Sequence, residues 1–257
     1  MSPVEAFKSY APSVAHLVFF QGDQRISSGS GFLVRDRLVT CAHVVERMGA
    51  NHMKVRFPYA EAGQTQEWDV PAGVQSLTFC GFSGEQSYDY AIIDPPAYVA
   101  IGPSLSFAEE ETEVGGQVCG LGFPFERDEL SLCVGYVSAA VNSGVARLLK
   151  LDMSVNPSNS GGPLIDLASG KVVGVIARKS TGLTGAFLEL QRSFDANLAA
   201  LSQAGGIIMS GIDPFAVMRA TQQQMKIAMK ELERSAQVGI GWAVYVDPLR
   251  SELVFNS

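Results

Sequence analysis

Short apolar runs rich in β-branched residues recur along this chain, each bounded by glycine or a charged turn, and runs of that length form strands far more readily than helices. Gly31-Phe32-Leu33-Val34 and Leu38-Val39-Thr40 flank the turn Arg35-Asp36-Arg37 and read as a hairpin. Tyr90-Ala91-Ile92-Ile93, Val134-Gly135-Tyr136-Val137-Ser138 and Gly174-Val175-Ile176-Ala177-Arg178-Lys179 repeat the pattern. With 257 residues, 47% hydrophobic content and 26 glycines, the chain can fill one large or two small cores, and an all-β class is expected. Gly102-Pro103-Ser104 and the acidic run Glu109-Glu110-Glu111 read as an exposed linker, which divides the chain into domains at 1–105 and 106–257.

A net charge of −7 argues against nucleic acid as a partner, because binding phosphates needs a basic face. The N-terminus shows no charged segment leading into an apolar core, and no run approaches the ~20 apolar residues of a membrane span. A soluble, cytoplasmic protein without membrane contact is expected. The four cysteines, Cys41, Cys80, Cys119 and Cys133, match no disulfide framework and are read as free thiols, with a Cys119–Cys133 link left open. Cys41 is expected to be a small buried core residue. Without a cluster of His, Cys and acids at ligand spacing, no metal and no cofactor are expected.

The chemistry concentrates in Asn156-Pro157-Ser158-Asn159-Ser160-Gly161-Gly162-Pro163-Leu164. Two glycines after Ser160 leave its hydroxyl uncrowded and let backbone N–H groups converge on a substrate oxygen. A serine hydroxyl is nearly inert at neutral pH, so it needs a base that a carboxylate orients. Of the three histidines, His43 ends the strand Leu38-Val39-Thr40, delivered by Cys41-Ala42, whereas His16 and His52 read as surface or structural residues. Asp89, immediately before Tyr90-Ala91-Ile92-Ile93, is the candidate carboxylate, and Asp94 at the far end of that run is the alternative.

The order His43, Asp89, Ser160, with Ser160 followed by Gly-Gly-Pro, resembles the trypsin-like peptidase superfamily, and within it the protease domain of the HtrA (DegP-type) family. Ser30-Gly31-Phe32-Leu33-Val34, Thr40-Cys41-Ala42-His43-Val44-Val45, Asp89-Tyr90-Ala91-Ile92, Leu121-Gly122-Phe123-Pro124, Val134–Ser138 and Gly239-Ile240-Gly241-Trp242-Ala243-Val244 are similar to that family's blocks and follow its order. The resemblance implies two six-stranded antiparallel barrels of chymotrypsin type, His43 and Asp89 on the first, Ser160 on the second, and a cleft between them. It implies a serine endopeptidase that cleaves an extended peptide through an acyl-enzyme, with an oxyanion hole made from the backbone of Ser158, Asn159 and Ser160. The substrate pocket falls at Ser154, six residues before Ser160, and at Ala177, Arg178, Lys179 and Gly241. A serine at the floor argues against selection of Arg or Lys by ion pairing. Val44 follows His43 where secreted trypsins carry a cysteine, and Asn159 replaces the aspartate that pairs with a newly cut N-terminus. Ser158 departs from the family's usual glycine at a φ that costs other residues about 1–3 kcal/mol, so the peptide is expected to rest flipped until substrate or partner binds. A catalytically weak or inactive peptide-binding module on the same fold, and an esterase, stay open as alternatives.

The pattern breaks between Lys179 and Gly239, where the family has a short loop and this chain inserts about 60 residues, roughly 180–238, before the last strand. Two helices are expected there. One covers about 189–204 and is closed by Gly205-Gly206, and the other opens on Asp213-Pro214 and runs to about Ser235. Phe215, Met218, Met225, Met229 and Leu232 give the second helix an apolar stripe that calls for a covering surface. Packing on the second barrel is one reading, and a lid or docking element for an activator or partner protein beside the pocket is the other. No PDZ-like module is expected after the last strand.

Overall fold

In the computed structural model, which describes residues 1–46, 50–100, 102–179, 185–203, 213–235, 239–252 and 255, hydrogen-bonded strands are the main regular structure outside one helical segment. Two units are compact: Met1–Ser180 with Gly239–Ser257, and Thr181–Val238. The larger unit begins with α1 (Pro3–Tyr10), started by a capping box in which the Glu5 N–H donates to Ser2 Oγ and the Ser2 N–H to the Glu5 carboxylate.

The first sheet holds β1 (Val14–Gln21), β2 (Gln24–Val34), β3 (Arg37–Thr40), β4 (His52–Arg56), β5 (Glu67–Val70), β6 (Thr78–Ser83) and β7 (Tyr90–Asp94), with the one-turn helix α2 (Ala42–Val45) after β3. Its spatial order is β5-β4-β1-β2-β3-β7-β6, and every neighbouring pair is antiparallel. The β2–β3 hairpin turns at Arg35-Asp36, with Val34 opposite Arg37 and Arg35 at φ 53. The mostly-β class therefore holds, and among the described residues this half is a seven-stranded half-barrel sheet where a closed six-stranded barrel is expected. Pro71, which has no N–H to donate, and Gly73 at φ 58 turn the chain out of β5 into a 3₁₀ turn at Gly73–Ser76, which ends the ladder.

The second half closes as a six-stranded barrel in the order β10-β13-β12-β11-β8-β9. Its strands are β8 (Gln117–Gly122), β9 (Ser131–Ser143), β10 (Ala146–Asp152), β11 (Pro163–Asp166), β12 (Val172–Lys179) and β13 (Ile240–Tyr245), followed by α5 (Asp247–Arg250) once the two insertion helices are counted. All four cysteines are free thiols. Cys119 lies opposite Val134 and Cys133 opposite Gly120, so the two thiols project to opposite faces of the β8–β9 ladder and do not bridge. Burial pushes the Cys119 thiol up to about 12.

The smaller unit carries α3 (Gly185–Gln203) and α4 (Pro214–Ser235), which pack on each other. Asp213 caps α4 by accepting from the Phe215 and Ala216 N–H groups at 2.9 and 3.2 Å. The first helix starts four residues before the expected 189, and the Gly205-Gly206 stop lies outside the described residues. Of the apolar stripe Met229 is buried and Phe215 half-buried, while Met218, Met225 and Leu232 are 51%, 50% and 59% exposed, so the expected burial is met only in part. No helix among the described residues is long and apolar enough to cross a membrane.

His52 is half-buried and bonds Asp69 through Nε2 at 2.9 Å, but His16, on β1, is wholly inside. The His16 ring stacks on Phe123 at 4.4 Å and receives Arg25 Nη2 on Nε2 at 3.1 Å, with Asp128 3.4 Å from Nδ1. Burial first, then the Arg25 charge, push this imidazole from 6.5 down to about 3. Between those values the unfolded chain binds the proton and the folded one does not, so stability complete above the unfolded value is lost as pH falls towards 3. A shift of this size amounts to at most about 5 kcal/mol. Urea unfolding at pH 7 and pH 4 tests this: the parent should lose clearly more stability between the two than His16→Gln, which has no imidazole to titrate.

Candidate active site

The segment that follows β3 folds into the single turn α2, and that turn sets His43 against the residue preceding β7. His43 Nδ1 lies 2.8 and 3.1 Å from the two Asp89 oxygens, and the His43 backbone N–H donates to Asp89 Oδ1 at 3.1 Å. Asp89 is 3% exposed and takes φ 48, a left-handed turn that aspartate tolerates better than most residues. With Nδ1–H donating to the carboxylate, Nε2 keeps its lone pair. Asp94, the alternative carboxylate, pairs instead with Arg37 at 3.1 Å at the other end of β7.

Ser160 sits in the loop between β10 and β11, which is clamped to the first sheet. The Ser30 N–H donates to the Ser160 carbonyl at 2.8 Å, and Ser30 Oγ donates to the Ser158 carbonyl at 2.8 Å while accepting from the Phe123 N–H at 3.0 Å. Gly161, at φ 88, passes so close to β2 that a Cβ would fall 2.1 Å from the Ser30 carbonyl oxygen and 2.2 Å from Thr40 Oγ1. A Cβ on Gly162 would fall 2.1 Å from the Leu121 carbonyl oxygen. Both glycines after Ser160 are thus required by close backbone approach, a stronger constraint than freeing the hydroxyl.

Ser158 stands at φ 73, the left-handed conformation expected to be costly for a non-glycine residue. The Pro157 carbonyl accepts from the Phe125 N–H at 2.9 Å, and because the trans peptide is planar the Ser158 N–H points the other way. Among the described residues neither the Ser158 nor the Ser160 N–H donates to any protein group. The Asn159 N–H differs from the expectation: it donates to the Asn156 carbonyl at 3.1 Å to close the turn, so it is not available to a substrate.

The Ser160 hydroxyl donates to the Ala177 carbonyl at 2.8 Å, and among the described residues it makes no hydrogen bond with His43. Ala177 lies at a register shift between Ile176 and Arg178 in the β12–β13 ladder, which leaves its carbonyl outside the regular pairing. Of the other pocket residues, Ser154 is exposed, and Gly241 pairs with Lys179 on β12. A Cβ on Gly241 would fall 2.3 Å from a methyl of Val155, a buried residue that sequence reasoning did not single out. The side chains of Arg178 and Lys179 lie outside the described residues.

A family model for the trypsin-like peptidase domain matches residues 29–175. A probable periplasmic serine endoprotease DegP-like of Halomonas elongata is 31% identical over 174 residues, 63% of this chain and 32% of that protein. Serine protease HTRA1 of Xenopus laevis is 29% identical over 193 residues, 69% of this chain and 38% of that protein. The chain thus spans about a third of the length of these curated relatives. The solved structure of the HtrA-type protease AlgW with tripeptide superposes with a TM-score of 0.60 at 19% identity, covering 99% of this chain and 62% of that one, a likeness of fold.

Removing the Ser30 hydroxyl leaves a buried N–H at Phe123 and a buried carbonyl at Ser158 without their shared partner. Ser30→Ala is therefore expected to lower unfolding free energy by about 1–3 kcal/mol, measured by chemical denaturation.

Proposed function

Because the chain belongs to the trypsin-like peptidase domain family, we propose that it is a serine endopeptidase in which Ser160 attacks the peptide carbonyl, His43 accepts its proton and Asp89 holds His43. The observation that carries this reading is the pair of unpartnered N–H groups at Ser158 and Ser160, on either side of the bonded Asn159 turn. Two such donors beside the nucleophile suit an oxyanion, and stabilising that charge is the largest single contribution to acyl transfer. The engagement of the Pro157 carbonyl by Phe125 supports a hole already formed in the free protein, in contrast to the flipped resting state expected from the sequence.

In the reaction, the Asp89 carboxylate fixes the His43 tautomer and stabilises the imidazolium formed when Ser160 loses its proton. The leaving amine then takes that proton, and water releases the acyl group by the same route. The Ser160 hydroxyl must first leave the Ala177 carbonyl. An extended substrate pairing along β12 would donate an N–H to that carbonyl and so turn the hydroxyl towards His43. The insertion joins β12 and β13, the strands that carry Ala177 and Gly241, and its proposed role is to gate entry to the pocket they border or to sense an activator.

The rival reading, a peptide-binding module without turnover, draws on the absence of a His43–Ser160 hydrogen bond. A fluorophosphonate probe separates the two. The parent should be labelled and Ser160→Ala should not, whereas no labelling of the parent would favour the binding module. Asp89→Asn should reduce kcat about 10⁴-fold, because the amide favours the wrong His43 tautomer. Deleting residues 182–236 should change kcat/KM on a protein substrate more than on a short peptide, and equal values before and after deletion on both would remove the gating role.

A further inference from the structure

We propose that Cys41, His43 and Asp89 form a binding site for a thiophilic divalent cation of the zinc type, and that its occupancy switches the serine centre off. Each of the three residues offers one ligand atom within 4.8 Å of those of the other two. Cys41 and Asp89 are buried, at 0% and 3% exposure, while the His43 side chain is 21% exposed and gives a small ion a way in. Bonds of about 2.0–2.3 Å to a tetrahedral ion place its ligands roughly 3–4 Å apart. The imidazole and carboxylate, hydrogen-bonded at 2.8 and 3.1 Å, have to open by a few tenths of an ångström to admit the ion, and the sulfur, within 4.8 Å of both, closes on it from the third side.

The donor set selects the ion. Thiolate, imidazole and carboxylate together suit Zn²⁺ and Co²⁺, whereas Mg²⁺ and Ca²⁺ prefer oxygen alone. Three protein ligands leave the fourth position to water on the exposed side of His43, the arrangement of an open zinc site. Charge also balances: one thiolate and one carboxylate neutralise a divalent ion, so the buried site holds no net charge. On binding, the Cys41 thiol gives up its hydrogen bond to the Ile176 carbonyl, 3.3 Å away, and releases its proton to solvent. The Nδ1 proton moves to Nε2, and the imidazole stays neutral.

The switching step rests on the proposed serine endopeptidase reading. An imidazole with its proton on Nε2 cannot accept one from Ser160, and Asp89 is no longer holding the productive tautomer. The ion therefore acts on the tautomer that the chemistry needs and does not have to block the cleft.

Co²⁺ supplies a readout that does not depend on activity. Titrated into the full chain at neutral pH, it should raise a sulfur-to-cobalt charge-transfer band that saturates at one equivalent and is displaced by Zn²⁺ but not by Mg²⁺. Cys41→Ser keeps the volume and a hydroxyl for Ile176, and Cys41→Ala serves if that variant does not fold. Either should lose the band and weaken Zn²⁺ binding at least about 100-fold, since even outer-shell changes cost 10–100-fold. Fluorophosphonate labelling of the parent should stop as Zn²⁺ saturates and should continue in the Cys41 variant at the same concentration. No band in the parent, or a band and zinc sensitivity that survive in the Cys41 variant, would overturn the site. A band that saturates while labelling proceeds unchanged would overturn the switch. A band in a parent that is never labelled would overturn the peptidase reading and the switch with it, and would support the cation site alone.

Discussion

The close approach of Gly161 to Ser30 is the contact on which the rest of the site depends. Two sheets built from separate stretches of chain meet there without a side chain between them, and the Ser30 N–H, Ser30 Oγ and Thr40 Oγ1 all take part in the contact. Because β2 is hydrogen-bonded to β3, and β3 leads into the turn bearing His43, the position of Ser160 relative to His43 follows from backbone geometry. A buried hydroxyl that both donates and accepts, as Ser30 does between Ser158 and Phe123, fixes the loop more narrowly than apolar packing would, because each broken bond strands a polar group.

Backbone strain gathers around that contact. Ser158, Phe125 and Glu126 all have positive φ, and Phe125 N–H bonds the peptide that precedes Ser158. Conformations of this kind, each costing about 1–3 kcal/mol, persist where the surrounding structure fixes them. Here the fixing groups are the Ser30 clamp on one side and the His16–Phe123 stack on the other. His16 thus belongs to the support of the loop and not to the surface.

Local pattern made the β class, the Arg35-Asp36 hairpin, the start of α4 at Pro214 and the pairing of His43 with Asp89 legible in the sequence, since each depends on nearby residues or on one strong motif. The open seven-stranded sheet was not legible, because closure depends on whether distant strands meet, and no single residue encodes that. The resemblance implies Asn159 among the oxyanion donors, but a local turn consumes its N–H, and nothing in the sequence marks that bond. The role of Val155 was hidden by the absence of a side chain at its partner Gly241. Cys41 reads in the sequence as a small buried core residue, and it is buried; that its sulfur also lies within 4.8 Å of ligand atoms on His43 and Asp89 emerges only from the fold.

Lys179 and Gly241 face each other in the β12–β13 ladder, so the inserted segment departs and returns at points about 5 Å apart. Its ends meet as the ends of an ordinary hairpin loop do. Closing about 60 residues in place of four costs roughly 2–3 kcal/mol of chain entropy, since each doubling of loop length adds only about 0.6 kcal/mol. A barrel joined in this way carries a whole helical unit at a chain-entropy cost that remains below the net stability of a domain. That position in the chain accordingly takes up a large change in length while the strands carrying Ala177 and Gly241 stay in register.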